Sequence, residues 1–228
     1  MSTRALSLTN TTIGKKMVMA VSGLVLFGFV IGHMLGNLQV FLGPDAINGY
    51  SHTLHTTPAL LWGARSVLLV AIVAHASTAI SLTRMNRAAR PVAYAQKKDI
   101  ATDYAAKTMF WSGLTIALYV AYHLAHLTFG VTKGLGYEHL PLDAKGLPDV
   151  YHNIVHSFQV PWCTAIYVVA QGALSMHLYH GAWSLFQSLG LNHKRYNESI
   201  RSSAVAVAMA VCVGFLAVPL AVLFGAIK

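Results

Sequence analysis

Five stretches of this chain, at about 17–42, 58–83, 108–131, 161–189 and 203–227, each run for more than twenty residues with Arg65 as the single charged side chain among them. About 20 apolar residues are enough for a helix to cross a bilayer. In lipid every backbone N–H and C=O must be satisfied within the segment, so such runs fold as helices. The spacing therefore predicts an all-α integral membrane bundle of five transmembrane helices, a single domain over residues 1–228. Pro44, Pro58, Pro91 and Pro161 fall near the ends of the runs, where helices start and stop. Lys15 and Lys16 precede the first run, as in a secretory signal. That run continues from Met17 to Leu42 without an A-x-A-like site, well beyond the about 7–15 residues of a signal's apolar region, and is expected to be retained. Loops are expected elsewhere. The longest, about 84–107 and 132–160, are too short for a catalytic domain, and no internal repeat or low-complexity tract emerges.

Composition agrees: 55% of the 228 residues are hydrophobic and 10% charged, against roughly 25% charged in soluble domains. The net charge of +9 does not point to nucleic acid, because the basic residues form short clusters between apolar runs with no stripe to track phosphates. Their distribution sets an orientation. Arg4, Lys15 and Lys16 precede the first span, Arg84, Arg87, Arg90, Lys97, Lys98 and Lys107 separate the second from the third, and Lys194, Arg195 and Arg201 the fourth from the fifth. The opposite side carries Lys133, Lys145 and Lys228, with Arg65 just inside span two. The expectation is a multi-pass protein of the cytoplasmic (inner) membrane, its N-terminus cytoplasmic and its C-terminus external. Cys163 and Cys212 lie in apolar runs, too far apart for a metal motif, and are expected to be small core residues.

Ionisable residues within a membrane are costly, so each is a functional candidate. The seven acids, Asp45, Asp99, Asp103, Glu138, Asp143, Asp149 and Glu198, are all expected in loops. Histidines instead occur in four spans: His33; His75; His123 and His126; His177 and His180. At about 1.5 Å per residue, His33 lies roughly 14 Å below the external end of its span and His123 roughly 12 Å, whereas His75 and His177 lie roughly 26 and 24 Å below theirs. Two layers follow, His33 with His123 outside and His75 with His177 inside. One imidazole from each of two helices per layer is the requirement for bis-histidine haem between bundle helices. Counted from the cytoplasmic end, His180 matches His75 better than His177 does, so both remain candidates. His126 and His180 stand about 60° round their helices from the first choices, within reach of a propionate, a quinone or a neighbouring helix. Gly28, Gly32 and Gly36 form a stripe beside His33, open to two readings: close helix packing, or room for a flat porphyrin. The lack of C-x-x-C-H excludes covalent c-type haem.

Several fragments carry a resemblance: Ser22-Gly23-Leu24 through Gly28-Phe29 to His33-Met34-Leu35-Gly36-Asn37-Leu38-Gln39; His75-Ala76 followed by Asn86 and Ala89-Arg90-Pro91; Tyr122-His123-Leu124; and His177-Leu178-Tyr179-His180-Gly181-Ala182-Trp183, with Gly190 thirteen residues after His177. In this order, over nearly the whole chain, they resemble the cytochrome b membrane subunit of succinate dehydrogenases and fumarate reductases, in the five-helix, two-haem, single-anchor group. The resemblance implies two haem b groups, ligands paired His33 with His123 and His75 with His177, and His177 rather than His180. It further implies a flavoprotein and an iron–sulfur subunit docked on the cytoplasmic side, with a membrane quinone, menaquinone by expectation, as substrate. Some members carry an intramembrane acid near a haem ligand that relays protons. No span here has one, Ser175 standing two residues before His177, so proton return through a buried carboxylate is not expected.

Two other functions fit parts of the pattern: the cytochrome b subunit of a hydrogenase or formate dehydrogenase, and a histidine-lined transporter, which leaves the two levels unexplained. A quinone needs a lipid-accessible cavity at a haem edge with polar groups for its carbonyls. Asn37, Gln39, Arg65, Ser66 and His126 offer these in the outer layer, although Asn37, Gln39 and Arg65 equally suit helix caps or haem propionates.

Overall fold

A computed structural model describes residues 11–89, 92, 103–131, 142–143, 146 and 149–228, and among these no strand occurs. The order is α1 (Thr12–Leu38), a 3-10 turn (Gln39–Leu42), α2 (Pro44–His55), α3 (Pro58–Ala88), α4 (Tyr104–His123), a π turn (Leu124–Thr128), α5 (Val150–Phe158), α6 (Pro161–Ser188) and α7 (Asn197–Leu223). Prolines open α2, α3 and α6, where a missing N–H costs nothing. The side chains of Thr11, Asp103 and Asp149 cap α1, α4 and α5 by accepting from the N–H groups of Gly14, Ala106 and His152. Gly43, at φ 94°, turns the chain from the 3-10 segment into α2, a conformation that favours glycine.

Among the described residues three helices are long and apolar enough to cross a membrane: α1 with its 3-10 extension, α3 and α7. The other two predicted spans are long enough, at roughly 30 Å for α4 and 42 Å for α6 by the helical rise, but polar side chains dilute their apolarity. They carry Ser112, Thr115, Tyr119 and Tyr122 on α4 and Gln171, Ser175, His177 and His180 on α6. The helices that fall short are those that furnish most of the polar contacts described below.

α1 and α3 run antiparallel, with Lys15 Nζ donating to Ser81 Oγ at 2.7 Å. α4 packs along α6, and α7 lies against both α6 and α1. The far side of α3 is bare: Trp62, Leu69, Val70 and Val73 are each 60–69% exposed, an apolar face unsuited to water.

The connections are not the plain loops expected. α2 and α5 pack together over one end of the bundle, tied by Asn48, which donates to Asp149 Oδ1 (2.9 Å) and accepts from the Tyr151 N–H (3.0 Å). Beneath them Val40, Ile47, Ile154, Val155, Phe158, Cys163, Tyr167, Val218 and Val222 form one buried cluster. Short segments of this kind lack the length of a span, so run length cannot reveal them. The acids also differ from expectation: Asp45 and Glu198 lie in the first turns of α2 and α7, where a helix N-terminus favours negative charge. Arg4, Arg90, Lys97, Lys98, Lys133 and Lys145, on which much of the charge asymmetry rests, lie outside the described residues, as do Pro91, Asp99 and Glu138.

Candidate functional site

Two pairs of imidazoles meet inside the bundle. The rings of His33 on α1 and His123 at the end of α4 have centroids 5.8 Å apart, nearly perpendicular at 81°. Those of His75 on α3 and His177 on α6 are 6.2 Å apart at 62°. Neither α1 with α4 nor α3 with α6 is among the helix pairs that pack extensively, so in both layers the rings face each other across a gap the backbones leave open. We call the first the capped layer, beneath α2 and α5, and the second the open layer.

The separation suits a metal held between two axial imidazoles. Two metal–nitrogen bonds of about 2 Å, plus about 1.1 Å from each nitrogen to its ring centre, place the centroids about 6 Å apart. Hydrogen-bonded imidazoles would sit nearer, at about 5 Å. Among the described residues no group of three or more His, Cys, Asp or Glu side chains is arranged to hold a bare ion. A donor set of two imidazoles therefore fits an ion whose other ligands come from a macrocycle.

Hydrogen bonds engage Nδ1 of three of the four rings, His75, His177 and His123. His75 Nδ1 lies 3.2 Å from the Met19 carbonyl, which only accepts, so Nδ1 carries the proton and Nε2 keeps its lone pair. Ser112 Oγ donates to the Met109 carbonyl and stands 3.2 Å from His177 Nδ1, an acceptor for that ring's N–H. In the capped layer one hydroxyl serves two histidines: Tyr167 Oη lies 3.2 Å from His123 Nδ1 and 2.9 Å from His126 Nδ1. The hydroxyl has one proton to give and lone pairs to accept with. For His123 to present a bare Nε2, His123 Nδ1–H donates to it. Holding the second nitrogen in this way orients a metal-binding histidine and raises its basicity.

The second-choice histidines turn elsewhere. His126 is wholly buried, between Tyr122, Tyr167 and Cys163, so its contact is with a neighbouring helix. The π turn that begins one residue after His123, a local insertion often found at functional sites, sets the path of the chain between the two. His180 points to the end of the bundle, its Nδ1 4.0 Å from Asp103 Oδ1. There Arg201 Nε donates to Tyr179 Oη (2.9 Å), and Tyr179 donates to Asp103 Oδ2 (3.1 Å). Burial pushes the Asp103 carboxyl up, but the hydrogen bonds from the Ala106 N–H and Tyr179 and the neighbouring His180 and Arg201 outweigh it and hold the group below the ordinary carboxylate range.

The residues read as quinone ligands are not drawn into one cluster. Asn37 and Gln39 flank the α1–3-10 junction, partly buried, while Arg65 and Ser66 are exposed on α3, with the Arg65 guanidinium 5.0 Å from the centre of the Trp62 ring. The glycine stripe divides. A Cβ on Gly36 would touch the Tyr50 ring at 3.0 Å, a packing contact, whereas one on Gly28 or Gly32 would meet nothing within 4 Å.

Reading the sequence by depth misses Ser22, Ser112, Tyr167, Tyr119, Gln171 and the capping role of Asp103. For most of these no spacing signal exists. For two it does, and it amends the finding of no repeat: Ser22-Gly23-Leu24 stands eleven residues before His33, and Ser112-Gly113-Leu114 eleven before His123. Comparison with protein-family models, curated proteins and solved structures found no match to this chain.

Proposed function

We propose that this chain is the dihaem cytochrome b membrane anchor of a succinate dehydrogenase or fumarate reductase, moving electrons between an iron–sulfur partner and membrane quinone. What carries this reading is the meeting of four histidines from four helices in two pairs, each at the ring separation of axial haem ligands. His33 and His123 would hold one haem b, His75 and His177 the other, and bound haem would supply one-electron chemistry. The chain's own part is to aim Nε2 of His75, His177 and His123 into the gap by engaging the other nitrogen where Met19, Ser112 and Tyr167 stand. All five long helices α1, α3, α4, α6 and α7 cross the membrane in this reading, with the open layer towards the cytoplasm. A flavoprotein and an iron–sulfur subunit dock on that face, among Lys15, Arg84, Arg87, Lys194 and Arg201.

A reduced-minus-oxidised visible spectrum of the purified chain is the first test, and two b-type haems per chain is the expected result. A chain free of haem that carries metal ions across vesicles overturns the reading in favour of a transporter. Flavoprotein and iron–sulfur subunits are expected to co-purify; a hydrogenase or formate dehydrogenase subunit in their place changes the partner and keeps the haems. A reporter that fluoresces only in the cytoplasm, fused after Lys228, stays dark if the open layer faces inward. Quinone, menaquinone by the family resemblance, is placed at the capped layer, the side away from the docked subunits. Asn37, Gln39, Arg65 and Ser66 are the polar groups offered there, and His126 reaches the layer only through Tyr167. Gln39→Ala is then expected to slow quinone turnover and to leave haem content and dicarboxylate oxidation with a soluble acceptor intact; unchanged quinone kinetics would sink that placement.

A further inference from the structure

Each Ser-Gly-Leu element lies three helical turns from a capped-layer histidine on its own helix, roughly 16 Å along the axis, and so reaches the depth of the other layer. Both serines are buried, at 6% and 7% exposure. Ser22 Oγ donates to the Val18 carbonyl (2.7 Å) and lies 3.4 Å from His75 Nδ1. Ser112 Oγ donates to the Met109 carbonyl and lies 3.2 Å from His177 Nδ1. The following glycines repeat the correspondence. A Cβ on Gly23 would stand 3.2 Å from His75 Cε1, and one on Gly113 3.5 Å from His177 Cε1. α1 thus holds the histidine of its packing partner α3, and α4 that of its partner α6, by the same two residues at the same distance from its own histidine.

We propose that Ser22-Gly23 and Ser112-Gly113 are a matched pair of clasps that position the two axial ligands of a single haem, the one in the open layer, and tune its potential. Each serine spends its proton on its own helix, which leaves the oxygen lone pairs as acceptors for the imidazole N–H. At Gly23 the missing side chain leaves the His75 ring edge room to lie against the helix, whereas at Gly113 a methyl would meet His177 at ordinary contact distance. An imidazole whose N–H is engaged donates more electron density and favours the ferric ion, so removing the acceptor raises the potential. The two clasps are not equal in strength. His75 keeps the Met19 carbonyl at 3.2 Å when Ser22 is lost, whereas no second acceptor for His177 Nδ1 stands beside Ser112 among the described contacts.

This inference rests on the dihaem reading, and the test separates the two. The full chain is purified with its partner subunits, and both haems are followed by optical redox titration and low-temperature electron paramagnetic resonance. If the unaltered protein binds no haem, the dihaem reading fails before any variant is compared. Given two haems, Ser112→Ala is expected to retain both and raise the potential of one by the equivalent of about tenfold in relative ferric affinity, about 59 mV for one electron, with a shift in that haem's resonance. Ser22→Ala moves the same haem in the same direction by less, and the double variant by more than either. Gly23→Ala, where the added methyl crowds His75, alters the resonance of that haem alone, and Gly113→Ala, where it meets His177 at ordinary contact distance, does so less. Ser→Ala favours a helix, so loss of the fold is not the expected outcome. Serine variants that leave both potentials unmoved, that move the haem of His33 and His123, or that move both haems equally overturn the proposal.

Discussion

At the capped end the bundle closes around aromatic rings and aliphatic side chains; at the other it ends in partly exposed charge. Beneath α2 and α5, Tyr119, Tyr122 and Tyr167 pack around His123 and His126, with Phe158 of α5 against Tyr167, and Cys163, Ser157 and His126 have no measurable exposure. At the open end Asp103, Tyr179, His180 and Arg201 form a hydrogen-bonded and ionic group. The histidine pairs follow the same division. His123 depends on a hydroxyl shared with a second, buried histidine, whereas His75 and His177 lean on a neighbouring backbone carbonyl and two serines. A phenolic hydroxyl can be aimed only if the ring that carries it is packed on all sides, which the cap provides. A serine bonded to its own helix needs no such enclosure, and this explains how the open layer is held without a cap.

On the dihaem reading proposed above, the largest effect expected from breaking this division is loss of one of the two haems. His33→Ala or His123→Ala should empty the capped layer, His75→Ala or His177→Ala the open one, each leaving about half the haem absorbance of the purified chain. Loss of haem in His180→Ala with retention in His177→Ala would reverse the assignment on α6. A middle-sized effect is expected at the α1–α7 contact, where a Cβ on Gly214 would run into the Met34 side chain, next to His33. Gly214→Ala forces Met34 to move, an overpacking that costs about 1–3 kcal/mol. Thermal melts followed in the visible should show a lower midpoint, with the haem of the capped layer released first; simultaneous release of both haems at the original midpoint would show the contact to be slack.

The smallest effect belongs to the charged end. Asp103 is held below the ordinary carboxylate range in the folded chain, so it stabilises the fold above the unfolded carboxyl's pKa of about 3.9. That contribution is lost as pH falls through the lower folded value. The side chain is 30% exposed, and solvent screening keeps the effect to about 0.5 kcal/mol. Asp103→Asn retains a capping side chain, so melts should show a slightly lower midpoint than the parent at neutral pH and no difference below the folded pKa. A gap that widens on acidification contradicts the assignment.

The helical class and the long apolar runs were legible because lipid imposes one strong condition, about twenty apolar residues for a span. The boundaries moved: the span read as 108–131 begins at Tyr104 and changes to a π turn after His123. The predicted histidine partners, His33 with His123 and His75 with His177, are the rings that the fold brings together, since depth along a straight helix is a count of residues. Which α6 ring meets His75 is not a matter of depth alone: His177 does so while His180 turns to Asp103, because the side of α6 that faces α3 depends on how α4 and α7 pack around α6.

What the sequence by itself determined is therefore what the rise of a helix can measure: where the long helical segments run, three of them apolar enough to span a membrane among the described residues, and how far along its own helix each histidine lies. The cap, the shared Tyr167 hydroxyl and the contacts of Ser22 and Ser112 with His75 and His177 were decided only by the tertiary structure. Tyr167 and His123 are 44 residues apart and Ser112 and His177 are 65 apart, and no periodicity within one helix encodes which side chain a neighbouring helix will present. The repeated Ser-Gly-Leu was present in the sequence throughout, but three residues carry no signal until packing shows both copies touching a histidine.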